Sequence, residues 1–115
     1  MIGRAHRFHG YNSLRQVYRG GRMARGPLFG IKVLANPRRG SYRAAVVVSR
    51  KVSKSAVARN RMRRRLYAVL QELAGQLSGP YDIVITVFND GVLEAPAAEL
   101  AGQLKKQLKE LGLIK

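Results

Sequence analysis

VVVSRKVSKSAVARNRMRRRL, residues 46–66, passes through three kinds of local structure. The valine run closes a β-strand, YRAAVVVSR over residues 42–50. Lys51 to Ser55 form a polar, basic loop. A helix then runs from about Ala56 to Ala74, with Ser55 or Ser53 as its N-cap. Met62, Leu66, Val69, Leu70, Leu73 and Leu77 recur at helical spacing, and Gly75, Gly79 and Pro80 end the pattern. Within this helix, five arginines fall between Arg59 and Arg65 with no acid among them. Like charges three and four apart repel by roughly 0.2–0.5 kcal/mol per pair. They sit where the helix dipole is already positive.

On a helical wheel of about 100° per residue, the apolar stripe is centred between Leu66 and Val69. Asn60, Arg61 and Arg64 point away from it. Arg59 and Arg63 lie along one edge of the stripe, and Arg65 lies along the other. The strip therefore covers the outer face of the first turns and does not line the core.

Working outward, Asn12 caps a short helix through Arg19, stopped by Gly20-Gly21. Residues 28–35, LFGIKVLA, read as a strand, and the turn Asn-Pro-Arg-Arg-Gly follows at 36–40. This strand and the one at 42–50 are expected to pair as an antiparallel hairpin across a loop of five to seven residues. Residues 81–88, YDIVITVF, are almost continuously apolar, as a strand buried on both faces should be. Pro96 opens a last helix. Glu99 lies in its first turn, and Lys105, Lys106 and Lys109 lie towards its end, both placements favoured by the helix dipole. Leu100, Leu104, Leu108 and Leu111 form its core stripe. The order α-β-β-α-β-α, with room for one further short strand, predicts an α+β fold, a single α-β sandwich.

Charge narrows the partners. Residues 1–65 carry fifteen arginines, three lysines and no acid, a formal +18; residues 66–115 carry four lysines against six acids, a formal −2. The whole chain is at +16. A folded domain with that field should bind a polyanion, with nucleic acid ahead of an anionic membrane. At 115 residues the chain is expected to be one nucleic-acid-binding domain, residues 1–10 forming a flexible basic N-terminus. There is no cysteine, which suits a reducing cytoplasm and removes thiolate chemistry. No apolar run reaches the roughly 20 residues of a membrane span.

A second basic surface surrounds the first helix, where Arg7, Phe8, Tyr11, Arg15, Tyr18, Arg19 and Arg22 interleave cations with rings. Two readings stay open there. The rings stack on unpaired bases while arginines hold the backbone, or Leu14, Val17 and Tyr18 are simply the helix's core stripe. A catalytic constellation is not visible. His6 and His9 have no carboxylate or cysteine near them, and the six acids are scattered. Asp82 reads as a strand-end or salt-bridge residue. No phosphate-loop pattern precedes a helix.

The stretch at 46–66 resembles the signature of the bacterial ribonuclease P protein subunit. In that family a strand ends in Val-Ser-Lys-Lys, and Ala-Val-x-Arg-Asn-Arg follows on a basic helix. Ser49, Arg50, Lys51, Ala56, Val57 and the triplet Arg59-Asn60-Arg61 match that pattern. Arg7-Phe8, a helix ending near Gly20, the Tyr-Asp-Ile-Val strand and a lysine-rich last helix extend the resemblance along essentially the whole chain. It implies a fold like the second domain of ribosomal protein S5, with a left-handed β-α-β crossover around the Arg-Asn-Arg helix. It also implies a partner, the catalytic ribonuclease P RNA, which with its Mg2+ ions removes the 5′ leader from precursor tRNA. No metal is expected to be held by the protein alone, and no obligate protein partner is implied.

Site residues follow from the same resemblance. Arg59, Asn60, Arg61, Arg63 and Arg64, with Arg50, Lys51 and Lys54, would bind the RNA subunit. Phe8, Leu14, Arg15 and Tyr18, with Ile31, Lys32 and Arg43 from the sheet, would hold the leader. Leu14 stands where many members have an aromatic residue, and Ser53-Lys54-Ser55 is one residue longer than the commoner loop. The alternatives from other classes are a structural RNA-binding protein, such as a ribosomal protein, and a self-sufficient nuclease. The Arg-Asn-Arg helix argues against the first. The absence of clustered histidines and acids argues against the second.

Overall fold

The computed structural model describes residues 20–36, 42–77 and 80–114. The first helix expected at 12–19, the N-terminal segment and most of the turn at 36–40 lie outside them. Four strands, β1 (Arg22–Arg25), β2 (Phe29–Ala35), β3 (Arg43–Val47) and β4 (Tyr81–Val87), form one sheet in the order β1-β2-β4-β3. Among the described residues two α-helices pack on it, α1 (Ala56–Leu73) and α2 (Ala97–Glu110). The α+β sandwich is as expected, and β1 is the further short strand.

The hairpin between the strands at 28–35 and 42–50 is not formed. β4 lies between β2 and β3, antiparallel to the first and parallel to the second. The reason is burial. Ile83, Val84 and Ile85 are fully buried, so this strand has most to gain from neighbours on both sides. The hairpin that does form joins β1 to β2 across Gly26–Leu28, with Ala24 opposite Ile31. β3, α1 and β4 make a crossover unit whose two strands are parallel neighbours.

Strand alternation sets the two faces of the sheet. Ala24, Ile31, Ile85 and Val46 stand side by side across all four strands and face the helices. Against them pack Met62, Leu66, Leu70 and Leu73 from α1 and Leu100, Leu104 and Leu108 from α2. The opposite face carries Met23, Lys32, Val84 and Ala45 in one row, and Leu34, Asp82 and Arg43 in the next.

Local signals explain the helix ends. The Ser55 side chain accepts from Ala58 N at 3.1 Å, so Ser55 is the N-cap of α1. Gly112, with φ of 78°, ends α2 in a left-handed cap. Leu113 N then donates to Leu108 O at 3.0 Å, turning Leu113 and Ile114 back into the core. The Val46 N–H donates to the Tyr67 hydroxyl at 3.1 Å, tying α1 to edge strand β3.

Candidate nucleic-acid interface

The arginine strip divides into groups with different tasks. Arg61 and Arg64 are exposed, and no hydrogen bond or ion pair engages either among the described residues. Asn60 is also exposed, and its Oδ1 accepts from Arg63 Nη2, which leaves the amide N–H groups of Asn60 directed outward. Arg59 is half-buried and donates to Ser53 O at 2.9 Å. Arg65 is folded the other way. Its guanidinium donates to the carbonyls of Val92, Leu93 and Ala95, which close the 3-10 turn at Asp90–Leu93 and lead into α2. The wheel placed Arg65 on its own edge of the stripe, and the structure shows what that edge touches.

The loop before α1 is a folded turn. Val52 N and Ser53 N both donate to Ser49 O, at 3.1 and 3.4 Å, and Ser55 N donates to Ser53 Oγ at 3.3 Å. The Arg59 bond to Ser53 O pins this turn to the helix. As a result Arg50, Lys51, Lys54, Ala56 and Arg59 line an open depression of about 590 Å3. Four cations meet there beside a helix N-terminus whose first turn holds no acid. Backbone N–H groups, the dipole and side-chain charge all favour an anion at this point. Val57, exposed in the same first turn, adds an apolar contact beside the cations.

The other sequence-derived positions separate. Ile31 is 0% exposed within the core, on the helix side of the sheet. This corrects its assignment to a ligand-facing surface: Ile31 and Lys32 are adjacent on a strand and must point to opposite faces. Lys32 and Arg43 do share the second face. Arg43 is held there by Asp82, through Nε to Oδ1 at 2.9 Å and Nη2 to Oδ2 at 2.8 Å. Asn36 Nδ2 donates to the same Oδ2 at 3.0 Å. The hydrogen bonds to Asp82 raise the Arg43 pKa, burial opposes the shift, and attraction to the carboxylate adds to it. Asp82 is thus the salt-bridge residue expected from its position. Phe8, Leu14, Arg15 and Tyr18 lie outside the described residues.

Sequence reading missed two groups on this second face. Arg25 stacks 4.7 Å from the centroid of the Phe88 ring, and Phe88 remains 36% exposed. Met23 is exposed on the same face. The signal available was the period of two: Met23 and Arg25 flank core Ala24 on β1, and Phe88 directly follows core Val87 at the end of β4. Among the described residues, no three His, Asp or Glu side chains come together to hold a metal ion. No helix among them is long and apolar enough to cross a membrane.

An α+β sandwich with a cationic helix start and an acid-free loop is the class defined so far. The comparisons name it more closely. The family model "Ribonuclease P" matches residues 2–112, and the chain belongs to that family. The ribonuclease P protein component of Chloroflexus aurantiacus is 34% identical over 111 residues, covering 96% of this chain and 81% of the relative. That of Synechococcus elongatus is 33% identical over 116 residues, covering 98% and 95%. The fold superposes on the Staphylococcus aureus RNase P protein with a TM-score of 0.83 at 17% identity, over 96% and 98% of the two chains. The Thermotoga maritima RNase P protein gives 0.75 at 20% identity, over 84% and 89%.

Proposed function

We propose that this chain acts in the cytoplasm as the protein subunit of a ribonuclease P ribonucleoprotein. It binds the catalytic RNA and the 5′ leader of precursor tRNA, and assists the Mg2+-dependent cleavage that gives the mature 5′ end. The observation that carries the reading is the acid-free cationic surface at the start of α1. Arg61 and Arg64 point outward there, beside the depression formed by Arg50, Lys51, Lys54 and Arg59. Arginine forks bind phosphate oxygens with two bonds, and Asn60 offers a free amide to a phosphate or a base edge. Lys32 and Arg43, with Phe8, Leu14, Arg15 and Tyr18, are proposed for the leader.

The chemistry is assigned to the RNA and the Mg2+ it binds. Asp82, the buried carboxylate nearest this second face, already has both oxygens engaged by Arg43 and Asn36. The protein's contribution is binding, orientation and charge neutralisation. If six to ten phosphates are contacted, affinity falls by about 10³–10⁵ between 50 and 200 mM salt. Neutralisation also lowers the Mg2+ needed for cleavage, because fewer free cations must screen the RNA.

The test is reconstitution with a bacterial ribonuclease P RNA and a leader-bearing precursor tRNA at low Mg2+. A mature 5′ end that needs both components supports the reading. An unchanged Mg2+ requirement with and without protein overturns the charge argument. Cleavage by the protein without RNA overturns the assignment of the chemistry.

A further inference from the structure

At one end of the second face, an aromatic ring stands where the sheet stops. Phe88 N donates to Leu28 O at 2.8 Å, which carries the β2–β4 ladder one step beyond Val87. Alternation then puts Phe88 on the same face as Thr86. Gly30, paired with Arg25 on one side and Thr86 on the other, is the seat of the ring. A Cβ at position 30 would lie 3.0 Å from both Cε2 and Cζ of Phe88, so a side chain there would displace the ring. Arg25 covers the ring from β1, its guanidinium carbon 4.7 Å from the centroid. Both side chains stay exposed, and Met23, two residues before Arg25 on the same face, is 44% exposed.

The surroundings indicate what covers this pair. β3 runs parallel to β4 with Val47 opposite Thr86, so the register brings Ser49 level with Phe88 two residues on. The acid-free turn at 49–55 therefore starts at the same end of the sheet, on the neighbouring strand. Arg50, Lys51, Lys54 and Arg59 line the depression beside it. A second copy of this chain, at +16, would bring like charge against that end. A polyanion that carries rings of its own suits both features, with phosphates on the turn and a base on the ring and guanidinium. Bases are free to do this in single-stranded RNA, where they stack on aromatic side chains and on arginine planes.

We propose that Arg25 and Phe88 form a stacking site for one unpaired base of the precursor's 5′ leader, with neighbouring phosphates on the turn at 49–55. The base is held by its face and not by its edge, so the site takes any base. Arg25 has two tasks, since it fixes the ring and offers its own plane to the base. The site adds a contact to the proposed leader binding and rests on that reading.

The test uses holoenzyme reconstituted with a bacterial ribonuclease P RNA, and a non-cleavable precursor tRNA whose leader nucleotides are made abasic one at a time. In the parent, one position should lose about tenfold in affinity when abasic and little when its base is exchanged. Phe88→Ala should bind the intact leader about tenfold more weakly and lose that sensitivity. Phe88→Leu keeps bulk without a ring and should behave as Phe88→Ala does. Arg25→Lys keeps the charge without the plane and should weaken binding several-fold. Phe88→Trp should bind as the parent does. The chain has no tryptophan, so the indole of that variant reports this site alone, and the leader should quench it. Abasic sensitivity that survives in Phe88→Ala, parent affinity in Phe88→Leu, or an unquenched indole overturns the proposal. A parent holoenzyme that binds mature and leader-bearing tRNA equally overturns the leader reading itself, and that result is read without any variant.

Discussion

Arg61 and Arg65 stand four residues apart on α1, yet one faces solvent without a partner and the other is folded under the turn that leads to α2. Identical side chains on one helix are therefore divided between holding the fold and presenting charge. The difference lies in what the wheel brings within reach. At Arg65 the helix faces three backbone carbonyls that α2 and its preceding turn cannot satisfy themselves. At Arg61 and Arg64 it faces only water. Net charge alone would have counted all five arginines as equivalent.

Removing Arg65 should have the largest effect on the protein itself. Arg65→Ala leaves the carbonyls of Val92, Leu93 and Ala95 without this donor, and loss of such a charged donor costs about 2–3 kcal/mol. The melting temperature should fall by on the order of 10 °C. A thermal scan showing a shift of only a degree or two would put Arg65 in the same class as Arg61. The reverse pattern is expected for Arg61→Ala combined with Arg64→Ala. Stability should stay within about 0.5 kcal/mol of the parent. The log–log salt slope for RNA binding should drop by about one unit per residue. A salt titration that leaves the slope intact would remove these two from the interface.

Arg59 falls between the two classes. Arg59→Ala frees Ser53 O and loosens the turn at 49–55, costing about 1 kcal/mol. It should also weaken RNA binding, because Arg50, Lys51 and Lys54 lose their common scaffold. Arg59→Lys separates the two parts, since it keeps the charge but not the fork. A Lys variant that binds as tightly as the parent would show that charge alone matters there. The smallest effect concerns a neutral group in the core, next to the start of β3. Burial raises the Tyr42 pKa above its ordinary 10.0. The folded state then holds that proton more tightly than the unfolded state. The associated stability is present below about pH 10 and is lost as pH rises through the folded value. Tyr42→Phe should flatten the alkaline decline in melting temperature, and an unchanged decline would assign it to other groups.

Much of this was readable from local chemistry. Ser55 caps α1 because a hydroxyl beside a helical pattern acts within three residues, and Pro96 starts α2 for a similarly local reason. β4 was legible as doubly buried, because a run such as Ile83-Val84-Ile85 has no polar face to offer. The β2–β3 hairpin failed because adjacency in sequence was weighed above that burial. Ile31 failed although the signal was present: Phe29, Ile31 and Val33 alternate with Gly30, Lys32 and Leu34. The partners of Arg65, Tyr67 and Gln107 could not be read at all. Each bonds to backbone brought near only by the tertiary fold, over separations of 21 to 78 residues.

The Tyr67 hydroxyl on Val46 N–H has a consequence for crowding. β3 is one border of the sheet, and a free row of N–H groups there would invite a strand from another copy to dock. Tyr67 occupies that border from the inside. The other border, β1, reads Arg-Met-Ala-Arg, and like charges would meet if two copies aligned along it. If a chain at +16 gathers on a polyanion as proposed, its copies come close together. Both features weigh against edge-to-edge pairing when copies are crowded together.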